Sequence, residues 1–344
     1  MTTPIIALEH ASQVFPTKLG PAKAVDDVTI ELQDSEIMSL VGESGCGKTT
    51  TGKMMVGLLR PTAGKLLYKG QDVLTDNRQT HAIFRQGVQL VHQDPYASLN
   101  PIHTLYQTLS APLLAHHLVQ GRHQATARVQ ELLQLVDLTP PGEFLFKYPH
   151  QLSGGQRQRA SIARALTVNP KVIVADEAVS MVDTSTRLSL LHTLLRLRDE
   201  LGIAFLSITH DLALAKYFAR GGRIGVMYLG RLVEVGPADE LIDQPKHPYT
   251  QILLSAIPEP DPDQTRRKSE LQLRSTEVPS LLNIPSGCPF HPRCPAFIPG
   301  TCDVIRPDLV RIDGEQYAAC HAAARQAGVS AVATKEAAAE EQRV

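Results

Sequence analysis

Residues 42–50 read GESGCGKTT, from Gly42 to Thr50. The stretch fits G-x-x-x-x-G-K-[ST]. The apolar run EIMSLVG (36–42) leads into it and the helical pattern KTTTGKMMVGLL (48–59) leads out, which is the strand–loop–helix context this spacing requires. Glycines let the backbone curl until successive N–H groups point at one anion. Ser44, Gly45, Cys46, Gly47, Lys48, Thr49 and Thr50 are therefore candidate phosphate contacts, with Lys48 reaching β- and γ-phosphates and Thr49 offering its hydroxyl to Mg²⁺. Cys46 is read as structural, since a small side chain is enough at that point in the loop.

Outward from the loop, IIALEHASQVF (5–15) and AVDDVTIEL (24–32) alternate as strands, and KLLYKGQDV (65–73) reads as a short hairpin. GVQLVHQD (87–94) is a buried strand. Residues 95–160 change to helical spacing, as in HQATARVQELLQLVDL (123–138). KVIVADE (171–177) and AFLSITH (204–210) are buried strands on either side of the helix TRLSLLHTLLRLRDELG (186–202). Strand–helix–strand order predicts a mainly parallel, covered sheet of the α/β class. VIVADE ends with Asp176 at the carboxyl edge of its strand, where open α/β sheets bind ligands. Asp176 can hold a Mg²⁺ shell, and Glu177 beside it can polarise an attacking water.

The bulk properties exclude some classes. The chain has 344 residues, 43% hydrophobic and 20% charged, with net charge −1. That balance gives no reason to expect a nucleic-acid partner. No basic flank precedes an apolar core at the N-terminus, and no run of apolar residues is long enough to span a bilayer. A membrane role would be peripheral, through a partner. The expected compartment is the reducing cytoplasm, where clustered cysteines more often mean metal than disulfide.

LSGGQRQR (152–159) lies between the two phosphate motifs. It resembles the signature motif of ATP-binding cassette (ABC) ATPases. In physical terms, Ser153, Gly154, Gly155 and Gln156 at a helix N-terminus make an anion site. The resemblance implies a P-loop NTPase core with an antiparallel β subdomain and an inserted helical subdomain. It implies that Gln93 in VHQDP senses Mg²⁺ and touches a membrane partner, that His210 in SITHD contacts the γ-phosphate, and that SMVD (180–183), through Asp183, lets two such domains communicate. It places Phe15 where an aromatic would stack on adenine. One departure stands out: EAVSMVD replaces the commoner E-P-T-S-A-L-D after Glu177, keeping the acidic residue and the loop Asp.

In this family a signature serine serves the phosphate loop of a second domain. With one set of motifs, the chain should be half of a head-to-tail pair. QDPYASLNP, YPHQLSGGQRQR, HPYTQILLSAIPEP and GCPFHPRCP together resemble the ATP-binding subunits of oligopeptide and dipeptide importers, more the second of their two unlike ATPases than the first. That implies a heterodimer with a second ATPase on two membrane permease subunits. An extracytoplasmic solute-binding protein would act indirectly, and the chain would sit at the cytoplasmic face of the inner membrane. The same branch includes importers of nickel and oligosaccharides, so the cargo is open. A soluble ABC ATPase, or a redox- or metal-responsive ATP-binding module, is the alternative.

Cys288, Cys294, Cys302 and Cys320 are spaced C-x5-C-x7-C-x17-C, unlike the paired C-x2-C of most structural zinc modules. Four thiolates suit Zn²⁺ or a [4Fe–4S] cluster, and unligated thiols are the third reading; the family resemblance favours the cluster. His291 and His321 are adjacent candidates, read as solvated side chains beside turns. The expected organisation is a nucleotide-binding domain over 1–257, a linker over 258–280, a Cys-rich module over 281–322 and a flexible tail over 323–344.

Overall fold

A computed structural model describes residues 3–75, 77–257 and 272–332. The strands are β1 (Ile6–Thr17), β2 (Gly20–Leu32), β3 (Ile37–Val41), β4 (Ala63–Tyr68), β5 (Gln71–Asp72), β6 (Val88–Val91), β7 (Val172–Asp176), β8 (Ala204–Ile208), β9 (Arg223–Tyr228), β10 (Arg231–Pro237), β11 (Val310–Asp313) and β12 (Gln316–Ala318). The helices used below are α1 (Lys48–Met55), α2 (Arg78–Gly87), α3 (Pro95–Ser98), α4 (Leu105–Ala115), α5 (Gly121–Leu135), α6 (Gly154–Leu166), α7 (Thr184–Leu201), α8 (Leu212–Phe218), α9 (Ala238–Asp243), α10 (Pro248–Ser255) and α11 (His321–Ala327). Among the described residues no helix is long and apolar enough to cross a membrane.

The main sheet runs β11-β12-β10-β9-β3-β8-β7-β6. From β9 to β6 its neighbours are parallel, and from β9 outward to β11 they are antiparallel. Its inner strands are apolar on both faces, and their period of two divides the core. Ile37 and Val41 of β3, Ile173 and Ala175 of β7 and Phe205 of β8 face one cluster. Met38 and Leu40, Val172 and Val174, and Leu206 and Ile208 face the other. The first cluster takes in Leu105 and Leu109 of α4, Val129 and Leu132 of α5, and Leu190 and Leu194 of α7. The second joins Met54 and Met55 of α1 to Ile6, Leu8, Val28 and Ile30 of the separate antiparallel sheet β2-β1-β4-β5. Burying a Leu, Ile or Phe side chain contributes roughly 1.5–3 kcal/mol, so both faces anchor the strand ends that carry the site.

The stretch expected as a Cys-rich module over 281–322 is joined to the main sheet and core. Its hairpin β11–β12 extends the main sheet, pairing Ala318 with Glu234 and Tyr317 with Val235 of β10. The joint is polar and closed. Glu234 is fully buried, and its carboxylate accepts from the Lys246 and His247 backbone N–H groups and the Gln316 side chain, at 2.7, 3.0 and 2.9 Å. Cys288, Phe290, Cys294 and Cys302 pack in the same cluster as α4 and α7. Helix α11 continues to Ala327, inside the stretch expected as a flexible tail. The expected linker over 258–280 lies partly outside the described residues, as do 333–344.

Candidate functional site

The turn after β3 needs its glycines. Gly42 has φ 151° and Gly47 has φ 107°. A Cβ on Gly42 would lie 2.2 Å from the Met227 carbonyl oxygen, and one on Gly47 would lie 2.3 Å from that of Ala24. Gly47 then starts α1 with no side-chain cap, so the first-turn N–H groups stay open. They border a cavity of about 550 Å³ lined by Ala24, Ser44, Gly45, Gly47, Lys48, Thr49, Thr50, Gln93, Glu177, His210 and Leu281. Lys48 is buried, its Nζ donating to the Gly42 and Glu43 carbonyl oxygens at 2.7 and 2.9 Å. Cys46 is buried in the apolar cluster beneath the loop, as a structural residue would be, and burial raises its thiol pKa.

The acidic edge stands beside the loop. β7 ends at Asp176, whose Oδ1 accepts from the Thr49 hydroxyl at 3.2 Å. Burial pushes the Asp176 carboxyl pKa up, and neighbouring Glu177 adds to the rise. Glu177 takes a left-handed backbone, φ 46°, a conformation that costs a non-glycine residue about 1–3 kcal/mol. Its carboxylate is held from two sides: Gln93 Nε2 donates to Oε2 at 2.7 Å, and His210 Nδ1 lies 3.0 Å from Oε1. The donor set of the Thr49 hydroxyl, the Asp176 carboxylate and the Gln93 amide oxygen is hard and oxygen-rich, which fits Mg²⁺. Two adjacent carboxylates also gain from a divalent charge.

The other expected residues stand apart. Phe15 lies on β1, exposed, opposite Ala22, and does not line the cavity. Ser153 is the N-cap of α6: its hydroxyl accepts from Gln156 N–H at 3.2 Å, and Gln156 Oε1 accepts from Ser153 N–H at 3.0 Å. A Cβ on Gly154 would meet open space, whereas one on Gly155 would lie 2.5 Å from the Thr186 methyl carbon. Asp183 caps α7. It accepts from the Ser185 hydroxyl and from the Thr186 N–H and hydroxyl, and these bonds, the Ser185 hydroxyl foremost, hold its carboxyl well below the usual range. None of these residues reaches the cavity of its own chain.

Three residues with no place in the sequence reading adjoin the loop. Arg293, between Cys288 and Cys294, forks onto the Glu43 carboxylate at 3.0 and 3.0 Å. Tyr249 of α10 accepts from Glu43 N–H at 2.9 Å. Leu281 forms part of the cavity wall. A carboxylate inside a phosphate-type loop is the one signal in the sequence that asks for such a cationic partner.

The four C-terminal cysteines are buried free thiols. Burial first, then the neighbouring cysteines, pushes Cys288 up to about 12; burial is also the main cause at Cys294, up to about 12, and at Cys320, which is raised. The sulfurs thus share one neighbourhood. Among the described residues, however, no group of three or more His, Cys, Asp or Glu side chains is placed to hold a metal ion. The expected [4Fe–4S] or zinc centre is therefore not seen as a formed ligand shell. Cys302 Sγ accepts from Ile298 N–H at 3.4 Å. His321 also departs from expectation: it is buried, its Nε2 donating to the Ile305 carbonyl oxygen at 2.8 Å, while the half-buried His291 puts Nδ1 3.0 Å from the Cys288 carbonyl oxygen.

The chain's sequence matches the family model "ABC transporter" over residues 25–180 and "Oligopeptide/dipeptide transporter, C-terminal region" over residues 233–302. It is 43% identical to "Putative oligopeptide transport ATP-binding protein YkfD" of Bacillus subtilis (strain 168), covering 92% of this chain and 95% of that one. It is 40% identical to "Dipeptide transport ATP-binding protein DppF" of Escherichia coli (strain K12), covering 93% and 94%. Among solved structures, a dimeric post-hydrolysis state of the ATP-binding cassette MJ0796 bound to ADP and Pi superposes with TM-score 0.61 at 26% identity, over 68% of this chain and 98% of that one.

Proposed function

The chain belongs to the ABC ATPases, in the family of oligopeptide and dipeptide transport ATP-binding proteins, and from that premise we propose that it hydrolyses ATP to power an importer of peptides or related solutes. The observation that carries the catalytic part is the joining of the glycine loop and the acidic edge around one cavity: Thr49 on Asp176, with Glu177 held between Gln93 and His210.

The triphosphate lies over the open N-terminus of α1. Lys48 Nζ leaves the Gly42 and Glu43 carbonyl oxygens for phosphate oxygens. Thr49 and Asp176, with Gln93 beside them, would hold Mg²⁺, which would neutralise charge on the phosphates. Glu177, its carboxylate fixed by two neighbours, orients a water in line with the γ-phosphorus. The water oxygen bonds to phosphorus as the bond from phosphorus to the β–γ bridging oxygen breaks; that oxygen keeps the electron pair and leaves as ADP, and the water proton passes by way of Glu177 to the phosphate. His210 stands beside the departing phosphate.

Ser153 to Gln156, with Asp183, complete the cavity of a second ATPase subunit, in a pair that ATP closes and hydrolysis opens. Support comes from their distance from the cavity of their own chain and from the likeness to a dimeric cassette. A second subunit of a different kind makes that pair a heterodimer on two permease subunits at the cytoplasmic face of the membrane, fed from outside by a solute-binding protein. A groove of about 390 Å³ between α2 and α6 suits a helix of a permease; it is lined by the exposed Leu58 and Arg164 and the partly buried His92, over the buried Phe84, and His92 precedes Gln93. At the C-terminus, the shared neighbourhood of four thiols supports a [4Fe–4S] cluster, whose binding would release the protons the buried thiols now hold. Iron and sulfide analysis after anaerobic purification checks it, and stoichiometric zinc would count against it.

The transport reading is tested by co-expression with the neighbouring membrane genes. The chain should co-purify with detergent-solubilised permease subunits, and the complex should turn over ATP faster when a loaded solute-binding protein is added. A chain that stays alone and hydrolyses ATP without them would overturn it.

A further inference from the structure

Resting on the ATP site above, we propose that Arg293 is a positioning residue of that site, through which the C-terminal Cys-rich turn neutralises and braces the phosphate loop. Glu43 poses an electrostatic problem. It is the second residue of the glycine loop, and it puts a negative charge where the loop is built to receive anions. A carboxylate there opposes phosphate binding unless a cation compensates it. The loop's own lysine does not: Lys48 Nζ bonds the carbonyl oxygens of Gly42 and Glu43, not the Glu43 carboxylate.

The compensation comes from 250 residues away in sequence. Arg293 is 5% exposed. Its Nη1 and Nη2 meet the two Glu43 carboxylate oxygens at 3.0 and 3.0 Å, a fork-to-fork pairing that fixes direction as well as charge. The guanidinium lies 5.8 Å from the Tyr228 ring centre and 5.7 Å from that of Phe290, so its position is set by packing. Tyr249 Oη accepts from Glu43 N–H at 2.9 Å. Glu43 is thus tied on two sides to the C-terminal half, and the loop carbonyls that Lys48 bonds are held in place behind it. Leu281, from the same C-terminal half, reaches the wall of the cavity itself. The phosphate loop is therefore shaped by both ends of the chain, and what happens around Cys288 and Cys294 is felt at the nucleotide.

Charge compensation and mere packing make different predictions, and a rescue separates them. Binding of MgADP to the full-length chain is measured by calorimetry, with near-ultraviolet circular dichroism as the check on folding. R293M should weaken MgADP about tenfold, which is about 1.4 kcal/mol. Adding E43Q to R293M removes the uncompensated charge and should return affinity to near the wild-type value, although the arginine's packing is still missing. R293K, which keeps the charge but loses the fork, should fall between R293M and the wild type; it decides the matter if R293M does not fold. A folded R293M or R293K with wild-type affinity overturns the proposal, and so does an R293M defect that E43Q leaves unrepaired. A wild-type chain that binds no MgADP defeats the ATP-site reading itself, an outcome distinct from either.

Discussion

Helices α1 and α6 both begin beside glycines, yet their N-termini are finished in opposite ways. At α1 the N-cap is Gly47, which offers no side chain, and the N–H groups open onto a cavity. At α6 the N-cap is Ser153, and Ser153 and Gln156 satisfy each other's backbone N–H groups in a closed capping box. The first terminus is left unsatisfied and has around it, in one chain, everything a phosphate group needs. The second can rest without a ligand, and the residues that could use it are not in its own chain's cavity. An open end demands an anion; a closed end can wait for one.

The sharpest way to break this contrast is at the open end. Glu177→Gln keeps the shape of the side chain and its bond from Gln93, and removes the charge that orients water. Turnover should fall by about 100- to 1,000-fold, while MgATP still binds and holds the paired chains closed. Steady-state phosphate release and gel filtration with MgATP check the two halves of this outcome. Undiminished turnover would remove Glu177 from its role.

At the closed end the expected effects are smaller and separable. Ser153→Ala opens the capping box, which should lower unfolding stability by about 1 kcal/mol, read from denaturant midpoints. ATP turnover by the paired subunits should fall, because the partner's phosphates lose a donor. MgADP binding by the isolated chain should not change. If it weakened, the signature segment would be serving its own chain's loop, and the contrast between the two helix ends would fail.

The parts of this contrast that sequence makes legible are the local ones. A glycine loop, a Ser-Gly-Gly helix start and an apolar strand ending in Asp-Glu each encode their backbone within about ten residues, and the structure has each where the pattern places it. Strand alternation marked β1 and β2 and helical spacing marked α5, whereas the antiparallel β subdomain was implied only by the family resemblance. Hidden were the contacts that close only over distance. Arg293 meets Glu43 across 250 residues and Tyr249 meets it across 206; no periodicity records such a pairing. The hairpin β11–β12 was missed because its strands are short: VRID shows no fully buried position to mark a core face. The cysteine spacing suggested a metal centre, and among the described residues no formed ligand shell is seen; spacing alone does not say whether four thiols meet around a metal or only pack together. His321 looked like a turn residue and is buried because the end of the hairpin folds it under the Ile305 carbonyl.

A third helix end extends the comparison and makes it sensitive to pH. Helix α10 is capped by His247, whose Nδ1 accepts from Tyr249 N–H at 3.0 Å. The cap works only while that nitrogen is unprotonated. His247 is 1% exposed, and burial pushes its pKa from 6.5 down to about 3. Between those values the unfolded chain takes up a proton that the folded chain refuses, so this stabilisation is fully present above the unfolded pKa and is lost as pH falls through the window. Glu234 beside it is shifted up by burial and pulls the other way, so the informative quantity is a difference between variants. His247→Asn keeps a capping acceptor and removes the titration. From pH 7 to pH 5 the wild type should lose about 2 kcal/mol more than H247N in denaturant unfolding. Equal losses would mean that α10's terminus tolerates the proton and that a buried cap need not be neutral, which would weaken the argument that each of these helix ends is set by what its cap can accept.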